Sequence, residues 1–143
     1  MQNGSGSPHP LLIDTHYWLW LAGGDKERLT SVVVSRLQNA ADHDSLLVSA
    51  ISVWEIAILD AKGRVQLFKT RTQWVDEALA ISGLTLAPLS PAIAIESNQL
   101  PGEFHGDPAD RIIVATARVL GARLLTNDRS IRAYCKAGHA LLA

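Results

Sequence analysis

Short apolar runs alternate with longer stretches of helical periodicity along this chain, and the alternation predicts its elements. Leu11 to Asp14 reads as a short buried strand, and Thr15 to Ala22 as a helix that Gly23-Gly24 ends. Thr30 to Ala41 carries apolar residues at Val33, Val34, Leu37 and Ala41, a helical stripe. Ser45 to Ser49 is the second strand, followed by a helix to about Ala61 with Ser52 as its N-cap and Gly63 as its stop. Thr72 to Ile81 predicts another helix, and Leu84 to Leu89 the third strand. Ser90-Pro91 then caps and starts the next helix. A loop holding Pro101-Gly102 leads to Asp107-Pro108, which opens a long helix to Leu120. Ala122 to Thr126 is the fourth strand, Asp128 to Cys135 a last helix, and His139 to Leu142 a fifth strand.

Strands that alternate with helices, and that are continuously apolar, belong to a parallel sheet covered on both faces. The expected fold class is therefore α/β, with a central parallel sheet of four to five short strands. A chain of 143 residues with 48% hydrophobic content suits one domain with a substantial core, assigned to residues 10–143. Residues 1–9, rich in Gly, Ser and Pro, read as a loose leader or an expression remnant without the features of a secretory signal. No apolar stretch reaches the roughly 20 residues that a membrane span needs. The single cysteine, Cys135, excludes an internal disulfide and suits a reducing cytoplasm.

Net charge is −1, which advertises no polyanion partner, but its distribution is uneven. Residues 107–143 carry a local balance of +3, and the remainder −4. A basic segment around acids could hold a phosphate backbone, although solvated helix faces explain such a pattern equally well.

Four acids stand out because each ends or interrupts an apolar run. Asp14 closes Leu11-Leu12-Ile13, and Glu55 sits inside Val53-Trp54-Glu55-Ile56-Ala57. Asp110 precedes Ile112-Ile113-Val114, and Asp128 follows Leu124-Leu125-Thr126. Carboxylates set against a core must neutralise, pair or bind a cation. In a parallel sheet, all four fall at the carboxyl ends of strands or the starts of the following helices, where sites form. Carboxylates without His or Cys select hard cations such as Mg²⁺ or Mn²⁺, which hydrolyse phosphodiesters through activated water. Each acid also has a plainer reading. Asp14, Asp107 and Asp128 are good N-caps, and Asp110 suits a helix dipole. Glu55, flanked by Trp54 and Ile56, is the hardest to explain as surface polarity.

Four ordered segments resemble the PIN-domain ribonucleases, and within them the VapC-type toxins of toxin–antitoxin pairs. They are Leu11-Leu12-Ile13-Asp14-Thr15-His16, Ser52-Val53-Trp54-Glu55-Ile56, His105-Gly106-Asp107-Pro108-Ala109-Asp110-Arg111, and Leu125-Thr126-Asn127-Asp128. The resemblance runs from about Leu11 to Leu142. It implies a three-layer α/β/α fold and a cytoplasmic Mg²⁺- or Mn²⁺-dependent endoribonuclease leaving 5′-phosphate and 3′-hydroxyl ends. It assigns Asp14, Glu55, Asp110 and Asp128 to the metal and its water, with Asp14 and Asp110 as the direct ligands. Thr126, Asp107 and Ser52 become accessory residues, and Arg111, Arg129 and Arg132 contacts to RNA phosphate. It also implies an antitoxin partner, and a homodimer or toxin–antitoxin hetero-oligomer.

Other readings compete. A PIN nuclease outside a toxin pair would process RNA, and the short chain without an added RNA-binding domain favours the toxin. A phospho-acceptor receiver module needs an acidic pair near the first strand and a Lys after the last, and a haloacid-dehalogenase-like phosphatase needs an Asp where His16 stands. Of four tryptophans, Trp18 and Trp54 fit core burial, while Trp20 and Trp74 suit a groove for a partner helix.

Overall fold

The computed structural model describes residues 9–143, so most of the expected leader lies outside the described residues. Five strands alternate with seven helices among these residues. They are β1 (Leu11–Ile13), α1 (Thr15–Gly23), α2 (Ser31–Asp42), β2 (Leu46–Ser49), α3 (Ala50–Ala61) and α4 (Arg71–Leu79). β3 (Leu84–Ala87), α5 (Pro91–Ser97), α6 (Pro108–Leu120), β4 (Arg123–Leu125), α7 (Arg129–Lys136) and β5 (Leu141–Leu142) follow.

All pairings are parallel, in the order β3-β2-β1-β4-β5. Ile13 lies in register with Val48 on one side and Leu125 on the other, so β1, β2 and β4 end level. Strand side chains alternate faces, and the apolar runs feed two cores. Leu11, Ile13, Val48 and Leu125 pack with Trp18, Leu37, Ile56 and Trp74 on one face. Leu12 and Leu124 pack with Ile93, Ile113, Val114, Ile131 and Tyr134 on the other. The result is the expected three-layer α/β/α arrangement.

Helix starts follow the capping signals closely. Asp14, Thr30, Thr70, Ser90, Asp107 and Asp128 each accept a backbone N–H from the first turn of the helix they begin. Thr70 and Gln73 form a reciprocal capping box that starts α4 at Arg71, one residue before the expected Thr72. α3 departs further: its cap is Ser49, three residues before the expected Ser52. Ser49 ends β2 and turns directly into the helix, which puts Ser52 inside α3 and fully buried. The third strand stops at Ala87, before Pro88, which lacks the N–H to continue a ladder.

One aromatic expectation changes, that of Trp54, while Trp20 and Trp74 line a groove as expected. Trp18 is buried, its Nε1 donating to Ala78 O at 3.1 Å, but Trp54 is 55% exposed. Position 54 lies on the outer side of α3, because Ser52 and Ile56 take the inner one. Trp74 is buried against the edge of Trp18, with ring centroids 5.0 Å apart. In α2, Leu37 and Ala40 face the core while Val34 is exposed. No helix among the described residues is long and apolar enough to cross a membrane.

Candidate functional site

The strand order places β1 between β2, reached first by the chain, and β4, reached last. The chain leaves β1 toward β2 and β3, then returns to its other side at β4. That reversal opens a crevice at the carboxyl ends of β1 and β4. Asp14 follows β1 directly and Thr126 follows β4 directly.

Asp14 is buried, and both of its oxygens are held. Oδ1 accepts the Tyr17 N–H at 3.0 Å, capping α1, and Oδ2 accepts the Thr126 hydroxyl at 2.5 Å. Thr126 Oγ1 in turn accepts the Asp128 N–H at 3.0 Å, so one hydroxyl joins the ends of β1 and β4. Asp128 Oδ1 accepts the Ile131 N–H at 2.9 Å and caps α7. Its capping role and its place in the cluster are therefore compatible.

Glu55 reaches the crevice from the second turn of α3. Its Oε1 accepts the Thr15 hydroxyl, and Thr15 Oγ1 lies 2.8 Å from Ser52 Oγ. The Thr15 proton goes to Glu55, so Ser52 is the donor to Thr15. Ser52 thus belongs to the site, as a buried support for Thr15 rather than as a helix cap. Thr15 itself went unnoticed in the sequence as a site residue. The one available signal was its position directly after Asp14, at the first turn of a helix.

Asp110 stands in the first turn of α6, where Asp107 Oδ1 accepts its N–H at 2.8 Å. Asp107 is the helix cap, with Pro108 as the first helical residue. Gly106 keeps this corner tight: a Cβ there would lie 2.9 Å from Asp110 Cβ and 2.4 Å from the Phe104 ring.

Electrostatics tie the acids together. Burial first, and then repulsion from Asp107, Asp128 and Glu55, push the Asp110 carboxyl up to about 7. Burial also raises Asp14 above the usual carboxylate range, against the bonds from Thr126 and Tyr17; Asp128 raises it further. Glu55 is raised by burial too, against the Thr15 bond, with Asp107 and Asp14 adding to it. His16 is exposed beside the cluster and favours the charged forms of Asp14 and Glu55.

No guanidinium offsets this charge among the described residues. Arg111, expected on phosphate, donates from Nε to Ser97 O and from Nη1 to Phe104 O, each at 2.9 Å. It braces the loop between α5 and α6, and Asp107 is not its partner. Arg132 Nη1 donates to Thr126 O at 3.1 Å and steadies the β4–α7 turn. Arg129 is exposed at the start of α7.

Every donor group here is a carboxylate or hydroxyl oxygen, a set suited to a hard divalent cation. Buried acids that raise one another's proton affinity are the groups such a cation would relieve. Among the described residues, no three of the acids close on a single point, since hydroxyls and backbone N–H groups hold Asp14, Glu55 and Asp128. The donor chemistry would suit a divalent ion, for which Asp14, Glu55, Asp110 and Asp128 are the candidate holders.

The model of the PIN domain matches residues 11–137, from the start of β1 to the end of α7. The chain belongs to the PIN-domain family. It is 36% identical over 124 residues to Ribonuclease VapC22 of Mycobacterium tuberculosis, an overlap of 87% of this chain and 91% of that protein. Solved structures share the PIN fold. VapBC2 from Rickettsia felis, bound to a DNA fragment from its promoter, gives a TM-score of 0.65 at 15% identity, covering 93% of this chain and 97% of that one. FitAcB from Neisseria gonorrhoeae gives 0.63 at 21% identity, covering 93% and 96%. A toxin–antitoxin complex from Klebsiella pneumoniae gives 0.59 at 24% identity, covering 85% and 89%. Asp14, Glu55 and Asp110, and Asp128 with them, all fall inside the matched range.

Proposed function

We propose that this PIN protein is the toxin of a toxin–antitoxin pair, a Mg²⁺- or Mn²⁺-dependent endoribonuclease that hydrolyses RNA phosphodiester bonds. One observation carries the reading. Asp14, Glu55, Asp110 and Asp128 come from four elements around the sheet reversal, the first three with raised proton affinity, and none is paired with a guanidinium among the described residues. A protein that needed only stability there would gain from one Arg, and the nearby arginines are turned to backbone carbonyls instead. The identity to a VapC ribonuclease supports the reaction class.

Asp14 and Asp110 would hold the cation directly, with Glu55 and Asp128 completing the set. When bound, the cation neutralises the acids, polarises the phosphate and lowers the pKa of a water. Thr126 and Thr15 keep the Asp14 and Glu55 carboxylates aimed, each through one hydroxyl. Glu55 would orient the attacking water and take its proton. Water adds to phosphorus, the bond to the 3′-oxygen breaks, and that oxygen gains a proton. The products are 5′-phosphate and 3′-hydroxyl ends. Asp107 fixes the start of α6 and so the direction of Asp110. Of Arg111, Arg129 and Arg132, Arg129 is the one exposed beside Asp128 and without a side-chain hydrogen bond among the described residues, and it would meet phosphate.

An antitoxin partner is supported by the fold's likeness to toxin–antitoxin complexes, and assembly as a homodimer or hetero-oligomer belongs to the same reading. A reduced, buried Cys135 suits the cytoplasm. Purified protein should cleave structured RNA with Mg²⁺ or Mn²⁺, and lose that activity in Asp14→Asn and Asp110→Asn while its melting curve persists. Full activity in excess EDTA, or in both variants, would overturn the mechanism. Growth arrest on expression, relieved by a small neighbouring reading frame, tests the toxin assignment.

A further inference from the structure

Beside the acid cluster lies a groove of about 820 Å³, bounded by α1, the end of α3, the loop of residues 62–70 and α4. His16 stands at the end nearest the acids. Its ring lies 6.0 Å from that of Trp20, one helical turn further along α1, so an aromatic row leads away from the cluster. Phe68 lines the same groove and is unusual in two ways. Its side chain is 84% exposed, and its backbone sits at φ 61°, in the left-handed region that bulky residues avoid. Neither burial nor local geometry rewards that arrangement, and strain of this kind concentrates at ligand-binding positions.

Two cations share the groove. The Arg28 guanidinium lies 5.7 Å from the Trp20 ring centroid and pairs with Asp25 at 2.8 Å. Arg64 is exposed and forms no ion pair among the described residues. An exposed aromatic ring, that of Phe68, beside cations suits unpaired nucleotides, whose bases stack and whose phosphates seek positive charge. An amphipathic helix would want an unbroken apolar stripe. Here Arg28 and Arg64 both line the groove, and its one acid, Asp25, is already paired with Arg28.

We propose that this groove binds single-stranded nucleotides next to the scissile bond, with Phe68 as a base-stacking platform and Arg64 on phosphate. The assignment of those nucleotides to RNA rests on the ribonuclease reading. A single strand crossing the acids would pass His16 and enter the groove directly.

The test uses full-length protein and a labelled single-stranded RNA octamer of mixed sequence. Binding is read by anisotropy in an Asp110→Asn background, and KM and kcat are read in the otherwise natural chain. Phe68→Ala should weaken octamer binding about tenfold and raise KM by a similar factor, with Phe68→Tyr restoring both. Arg64→Ala should weaken binding and lower the salt slope by about one. Unaltered octamer binding and KM in both variants, with melting curves unchanged, would overturn the proposal. So would variants that bind RNA normally but lose their hold on the antitoxin, since the groove would then be the partner's. Groove-dependent binding by a chain that cleaves no RNA keeps the groove and removes the ribonuclease. Cleavage with a groove-independent KM does the reverse.

Discussion

Glu96 and Asp110 lie on the neighbouring helices α5 and α6, and the fold treats their charges in opposite ways. Glu96 accepts Arg118 Nε at 2.7 Å, and that bond holds its carboxyl below the usual range. Arg118 also donates to His139 O, tying α6 to the approach to β5. Asp25, on the loop after α1, is likewise lowered by its bond from Arg28. At the sheet reversal the pattern inverts. Asp110, Asp14 and Glu55 are raised by burial and by one another, and the arginines close in sequence, Arg111 and Arg132, face carbonyls. Both regions are rich in Arg, so the difference lies in where the guanidinium groups are aimed. Charge is matched where helices must hold together and left unmatched at the sheet reversal, where the proposed cation would bind.

The contrast breaks most sharply by substitution. Asp110→Asn should lower cleavage by about a thousandfold, the middle of the range that one positioned group contributes. Its melting temperature should stay level or rise, because a repelled carboxylate is gone. Arg118→Ala should do the opposite, costing about 2 kcal/mol of stability through two lost charged bonds while kcat holds. Equal damage to both properties in either variant would erase the distinction.

Gly106→Ala comes next. A methyl group there meets Phe104 and Asp110, and the resulting shift of Asp110 should reduce cleavage about a hundredfold. Single-turnover rates would expose it, and normal rates would mean that Asp110 is not held by this corner. Thr15→Val should lower cleavage about tenfold by releasing Glu55 and Ser52, and Thr15→Ser should recover it.

The smallest effect is on stability against pH. Asp110 binds its proton more tightly in the folded chain, at about 7, than in an unfolded one, near 4. Between those values the folded state carries more protons, so stability falls as pH rises. Melting temperature in EDTA should therefore decline from pH 5 to pH 7.5, and Asp110→Asn should flatten the decline. Mg²⁺ should recover more stability at pH 7.5 than at pH 5. A rising melting temperature over that range would contradict the raised carboxyl.

Much of this was legible from residue order. The capping signals Asp14, Asp107-Pro108, Ser90-Pro91 and Asp128 placed four helix starts, because a cap bonds to its own first turn. Ser52 misled for the same reason in reverse. Ser49 has equal chemistry three residues earlier, and only the end of β2 decides between them. Trp54 was read as core because its neighbours are apolar, but burial on a helix depends on the side it presents.

The sequence by itself determined the alternation of strands and helices, their parallel class and the four acids at element ends, since periodicity and capping are local properties. Tertiary structure decided which strands are neighbours, and so that Thr126 from β4 reaches Asp14 after β1. It also decided that Thr15 supports Glu55, that Arg111 and Arg132 look away from the acids, and that Phe68 stands exposed. Each of these depends on the direction of a side chain relative to residues far along the chain, which no local pattern records.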